Sequence, residues 1–198
     1  MALSNYTELQ ASVATWMNRS DLNTQIVDFI SIGESNIATD VRMREMLASA
    51  NLVIAPLTNT VALPASWLEF KSVSLASAQL EYVIPEMLRK RKLLSLGFTN
   101  NYSIEGLNLL INGTQSAAQT INTQYYKRLD ALSVTPTNFL LTQYPQVYLY
   151  AALAQAALFM IDDPRAATWE SAYKSAVAKA MASNSKALIS GGSLRIRN

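Results

Sequence analysis

The chain has 198 residues, enough for one domain or for one domain with a sizeable insertion. Apolar residues make up 50% and charged residues only 15%, against about 25% in an ordinary soluble domain, so much of the folded surface is expected to face a membrane or neighbouring subunits rather than bulk water. With no cysteine and no histidine it has no disulfide, thiolate nucleophile, Cys/His zinc site or histidine-based triad, and a net charge of +2 gives no global electrostatic case for nucleic acid.

At the start, Asn5 is placed to cap a helix with Glu8 at its third position, and Tyr6, Leu9, Val13, Trp16 and Met17 recur at helical spacing. The stretch "NRSD" ends that helix. Ser20 or Asp21 is expected to cap a longer one, whose stripe runs through Leu22, Ile26, Phe29, Ile30, Gly33, Ile37 and Val41 towards Leu47. The N-terminus lacks the basic start and apolar centre of a secretion signal, which leads us to expect a protein that remains in the cytosol where it is made.

From about Ala50 the apolar period drops to two, which predicts strands and turns to about Leu129. "NLVIAPLTNTVALP" reads as a hairpin turning near Thr58 to Thr60, followed by candidate strands "FKSVSL" and "QLEYVI". Pro85 opens a short basic helix, "PEMLRKRKLLSL". "YSIEGLNLLING" reads as a second hairpin turning at Glu105-Gly106, and "QTINTQYYKRL" as a long strand with Ile121, Thr123 and Tyr125 on one face.

Helix then returns. Val147 to Ile161 is apolar on nearly every side, too short and too rich in alanine to span a bilayer, and so predicts a buried central helix. Asp163-Pro164 supplies a cap and a first-turn proline for a last helix bearing Trp169, Tyr173, Val177 and Met181, which Gly191-Gly192 would stop. The expected class is α+β: a mainly helical bundle, about 5–48 and 144–190, with a β-rich insertion at about 50–130, all in one domain of residues 1–190, followed by an extended arm at 191–198.

Candidate sites are few. Glu34, Asp40 and Glu45 do not share a helix face and read as solvated or ion-paired side chains, and Asp162 and Asp163 as helix-capping residues. Arg89, Lys90, Arg91 and Lys92 put four positive charges in about one helical turn, a solvated face, a subunit contact or a contact with DNA. Tyr125, Tyr126, Tyr144, Tyr148 and Tyr150 fit either a core or an interface. The tail "GGSLRIRN" is the sharpest feature: Leu194 and Ile196 alternate with Arg195 and Arg197 at strand period, and Gly191 and Gly192 free their direction. Such a strand can add to a partner's sheet edge, fold back on its own sheet, or stay disordered.

Taken in order, "YTELQASVATWMNRSDLNTQIVDFISIGESNIATDVRMREM", "VALPASWLEFKSVSL", "YSIEGLNLLI", "TQYYKRLDAL" and "TNFLLTQYPQVYLYAALAQAALFMIDDPRAATWESAYKSAV" resemble the head-to-tail adaptor, or connector, proteins of tailed bacteriophages, chiefly short-tailed ones. The resemblance implies a structural virion protein without substrate, cofactor or metal, located at the head-tail junction. It implies a twelve-subunit ring beneath the portal protein, C-terminal arms directed at the portal, a tail or nozzle protein below, and DNA passing through the axis without sequence-specific binding. Residues 191–198 would be the portal-binding arm, which could instead clasp a neighbouring adaptor. Head-completion proteins of long-tailed phages share the helical bundle. A peptidoglycan-cleaving virion enzyme is the alternative of another class, with Glu34, Glu69 or Glu86 as its acid, although no second carboxylate is set opposite any of them.

Overall fold

The computed structural model describes residues 3–76, 78–93, 100–114, 116–160 and 165–189; Asp162, Asp163, Pro164 and the tail from 190 onward lie outside them. In chain order the elements are α1 (Tyr6–Met17), α2 (Asn23–Asp40), β1 (Leu47–Ile54), β2 (Thr60–Ala62), β3 (Trp67–Leu75), β4 (Ala78–Gln79), β5 (Glu81–Tyr82), α3 (Pro85–Leu93), β6 (Asn101–Glu105), β7 (Asn108–Ile111), β8 (Gln119–Lys127), α4 (Phe139–Gln143), α5 (Pro145–Phe159) and α6 (Ala166–Ile189). The class is α+β. The chain divides into a helical unit, Met1–Glu45 with Leu129–Asn198, and a β unit, Met46–Arg128.

In the helical unit α5 is the hub, packed upon by α1, α2, α4 and α6. Its alanines 151, 152, 154, 156 and 157 are all buried, which explains a sequence apolar on every side: small side chains let several helices approach one axis. The closest approach is at Gly33 of α2, where an added Cβ would lie 3.1 Å from the Ala151 Cβ and 3.3 Å from the Ala151 carbonyl carbon. The stripe Leu22, Ile26, Phe29, Ile30, Gly33, Ile37 and Val41 is buried as its spacing predicts.

Asn5 caps α1 by accepting the Glu8 N–H at 3.0 Å. The Glu8 carboxylate reaches one residue further back than a capping box requires, to the Ser4 N–H at 2.7 Å and the Ser4 hydroxyl at 2.8 Å. Asn5→Ala leaves the Glu8 N–H without that acceptor and is expected to lower stability by about 1 kcal/mol, read from urea unfolding. α1 ends at Asn18, which adopts the left-handed conformation at φ 55° that asparagine tolerates. The expected cap of α2 is corrected: its N-cap is Leu22, with no side-chain bond. Asp21 is held by the Arg19 guanidinium through two bonds of 2.7 and 2.6 Å, which draws its carboxyl down to about 2. Leu47, read as the end of the α2 stripe, opens β1 instead.

The β unit holds two four-stranded sheets, ordered β1-β8-β3-β4 and β2-β7-β6-β5, antiparallel except where β5 meets β6. Between them Ile54, Val73, Leu80, Tyr102, Leu109, Ile111 and Ile121 form one buried cluster. The hairpin expected at 51–64 is absent. β1 pairs along its whole length with β8, Leu47 opposite Tyr126 through Ile54 opposite Gln119, and β2 pairs with β7 in the other sheet. Period two identifies a strand but says nothing of its partner. The second hairpin is present: β6 pairs with β7 around Gly106, whose φ of 58° suits glycine. Ile121, Thr123 and Tyr125 of β8 are buried together. Pro85 opens α3, which packs on β6 and buries Leu88.

Candidate functional site

Of the carboxylates singled out in the sequence, Glu34, Asp40 and Glu45 bond to other parts of the chain. Glu34 is half-buried on α2 and accepts the Leu132 N–H at 2.7 Å, tying the segment before α4 to the bundle. Burial pushes its carboxyl above the ordinary value of 4.5, opposed by the Leu132 N–H. The folded chain thus holds this proton more tightly than the unfolded chain, so ionising Glu34 opposes folding. That contribution to stability falls as pH rises from the ordinary carboxyl value through the raised one. Glu34→Gln keeps an oxygen acceptor but cannot ionise. Its melting temperature relative to the parent is expected to be higher at pH 7 than at pH 4, and the opposite ordering would contradict the assignment.

Asp40 accepts the Tyr173 hydroxyl at 2.7 Å, joining the end of α2 to α6. Burial, and the bond to Asp40, raise the Tyr173 phenol above its usual range. Tyr148 is pushed up to about 12, chiefly by burial, while the Asn138 amide donating to its hydroxyl at 2.8 Å pulls the other way. The same Asn138 caps α4, accepting the Leu141 N–H at 2.9 Å. Glu45 pairs with Arg44 at 3.0 Å. Glu69 and Glu86 are exposed on β3 and α3. Among the described residues no three acidic side chains gather to hold a metal ion. No described helix is long and apolar enough to cross a membrane.

Of the basic run on α3, Arg89 forms an exposed ion pair with Glu105 at the end of β6, within the same unit. Lys90 is exposed, and the side chains of Arg91 and Lys92 lie outside the described set. An exposed pair of this kind contributes little to stability. Its effect is to halve the charge offered by the first two positions of the run. The tail residues Gly191, Gly192, Leu194, Arg195, Ile196 and Arg197 also lie outside the described residues.

The tyrosines divide: Tyr125 and Tyr148 are buried, whereas Tyr126, Tyr144 and Tyr150 are half-buried. Tyr150 belongs to a grouping that helical spacing does not reveal. Its ring stacks on Trp169 at 6.0 Å, and Trp16 meets both rings edge-on, at 6.2 Å to Tyr150 and 5.5 Å to Trp169. Trp16 remains 46% exposed, so three helices bring an aromatic cluster to the surface. Further apolar side chains stand out from both units: Leu158, Phe159 and Val134 in the helical one, Leu57, Leu107, Tyr82 and Ile84 in the β unit. The groove along α6 lined by Ala167, Thr168, Ser171, Ala172 and Ser175 is open and carries no ionisable group.

A sequence model of the SU10 adaptor protein family matches residues 4–197, nearly the whole chain. Comparison with curated proteins gives no significant match.

Proposed function

This chain belongs to the SU10 adaptor protein family, a family of structural phage proteins, and from that membership we propose that it forms a ring beneath the portal of a short-tailed phage. In this reading the ring has twelve subunits, prolongs the DNA channel and offers the next tail or nozzle protein a platform. The family match over residues 4–197 carries the proposal. The low share of charge supports it, since a ring subunit hides two flanks against its neighbours. So do the apolar side chains exposed on each unit, because lateral contacts need partly apolar area.

Residues 191–198 serve as an arm that reaches the portal or clasps a neighbouring adaptor, and Arg89 to Lys92 as a subunit or DNA contact. Isolated protein is expected to be largely monomeric, with rings closing on the portal as template. Light scattering of the protein alone, then electron microscopy after mixing with portal, tests this. Rings stacked coaxially under the portal are the expected image, and a lone subunit bound at the side of the particle would overturn the proposal.

A further inference from the structure

The four-stranded sheet β1-β8-β3-β4 has two long margins, and they are treated differently. On the β3 side the ladder with β8 is interrupted by register shifts between Trp67 and Glu69 and between Phe70 and Ser72, β4 covers Ser74 and Leu75, and Glu69 and Lys71 are exposed. Bulges, charges and a short covering strand are the usual means by which an edge is kept from pairing. β1 has none of them. Its eight residues, LASANLVI, contain no charge and no proline, they run in unbroken register with β8, and among the described residues they pair on that side alone. The other sheet ends in β2 and β5, of three and two residues, too short to receive a strand of any length.

The side chains show the same gap. Ala48, Ala50 and Leu52 share the face of Ile54, yet only Ile54 is buried; the other three are half-exposed. On the opposite face Ser49, Asn51 and Val53 are exposed, Val53 at 59%. An added strand with apolar residues on one face and polar residues on the other would complete the first row and leave the second in water.

We propose that β1 is a strand-acceptor edge, and that its occupant is residues 193–198 of a second copy of this chain. Nine residues follow Ile189 in the sequence, and the glycine pair 191–192 leaves the direction of the rest free. Six extended residues reach about 20 Å, most of the length of an eight-residue strand. Leu194 and Ile196 continue the row Ala48, Ala50, Leu52, while Arg195 and Arg197 stand beside the uncharged Ser49, Asn51 and Val53, where no like charge opposes them. Main-chain bonds supply the affinity and the alternation sets the register. This rests on the reading of 191–198 as an arm between subunits, and it names the arm's receptor: each copy gives a strand to one neighbour and takes one from the other, a head-to-tail contact of the kind that closes rings.

The absence of cysteine makes the test clean. Full-length Arg195→Cys protein is mixed under oxidising conditions, at high concentration with and without portal, with Ser49→Cys, Asn51→Cys or Val53→Cys protein, and with Glu69→Cys protein as the control on the guarded edge. Mixed disulfide dimers with at least one β1 position, and none with Glu69→Cys, are expected. Adding Asn51→Lys to the Val53→Cys protein, at an exposed site that should not disturb folding, is expected to reduce trapping at least tenfold with an unchanged melting temperature. No mixed dimer at any β1 position overturns the proposal, as does a disulfide formed only within one chain when both cysteines are placed together. Rings on the portal without β1 cross-links would sink this receptor while leaving the ring reading intact.

Discussion

Leucine in place of Gly33 is expected to destabilise the helical unit by about 3 kcal/mol or more, because the added atoms meet the backbone of α5 and not the yielding end of a side chain. A single Cβ at this position already lies 3.1 Å from Ala151 Cβ and 3.3 to 3.4 Å from backbone atoms of Ala151 and Ala152. Three further carbons can be admitted only if α2 withdraws from the hub. Withdrawal would open the seam lined by Ile26, Phe29, Ile30 and Ile37, all buried. Gly33→Ala behaves differently: the squeeze is a few tenths of an ångström, and alanine gains about 1 kcal/mol over glycine in a helix interior, so its stability should stay within about 1 kcal/mol of the parent. Urea midpoints of the two variants check the contrast. Equal losses for alanine and leucine would mean that the close approach is not what limits the site.

A chain ended at Gly192 is expected to keep its melting temperature and lose its place in the complex with portal. The hub of the bundle, α5, is packed by α1, α2, α4 and α6, all of which end before residue 193. Subunits linked to one another by arms meet the portal as one multivalent body, in which every portal contact after the first is intramolecular, and such linkage multiplies affinity by about 100 to 10,000. Removing the arms takes away that factor at once. Co-sedimentation with portal should fall by at least 100-fold, while circular dichroism melts superimpose. Undiminished co-sedimentation would show that lateral and axial contacts suffice without the arm.

The α+β class and most helices were legible because burial in a helix repeats where the chain itself repeats: Leu22, Ile26, Phe29, Ile30, Gly33, Ile37 and Val41 needed no knowledge of partners. The same local logic found β8 through Ile121, Thr123 and Tyr125 and the turn at Gly106. It misread the strands at 51–64, since Asn51 lies opposite Asn122 and Val61 opposite Leu109, pairings separated by dozens of residues that no spacing encodes. It misplaced the cap of α2 because Arg19, two residues from Asp21, competes for the carboxylate. It recognised Trp16, Tyr150 and Trp169 one at a time, each on its own helix, and their meeting depends on how three helices cross. The lack of charge in LASANLVI was visible throughout, but not that β1 would stand at a margin while β8 stood inside.

The pairing of Leu47 with Tyr126 has one more consequence. The polypeptide enters the β unit and leaves it on adjacent strands, at points about 5 Å apart. To the helices, the whole excursion is equivalent to a short loop, whatever its content. Evolution can therefore exchange, enlarge or prune this graft without reworking the scaffold that carries it, provided the doorway keeps its width.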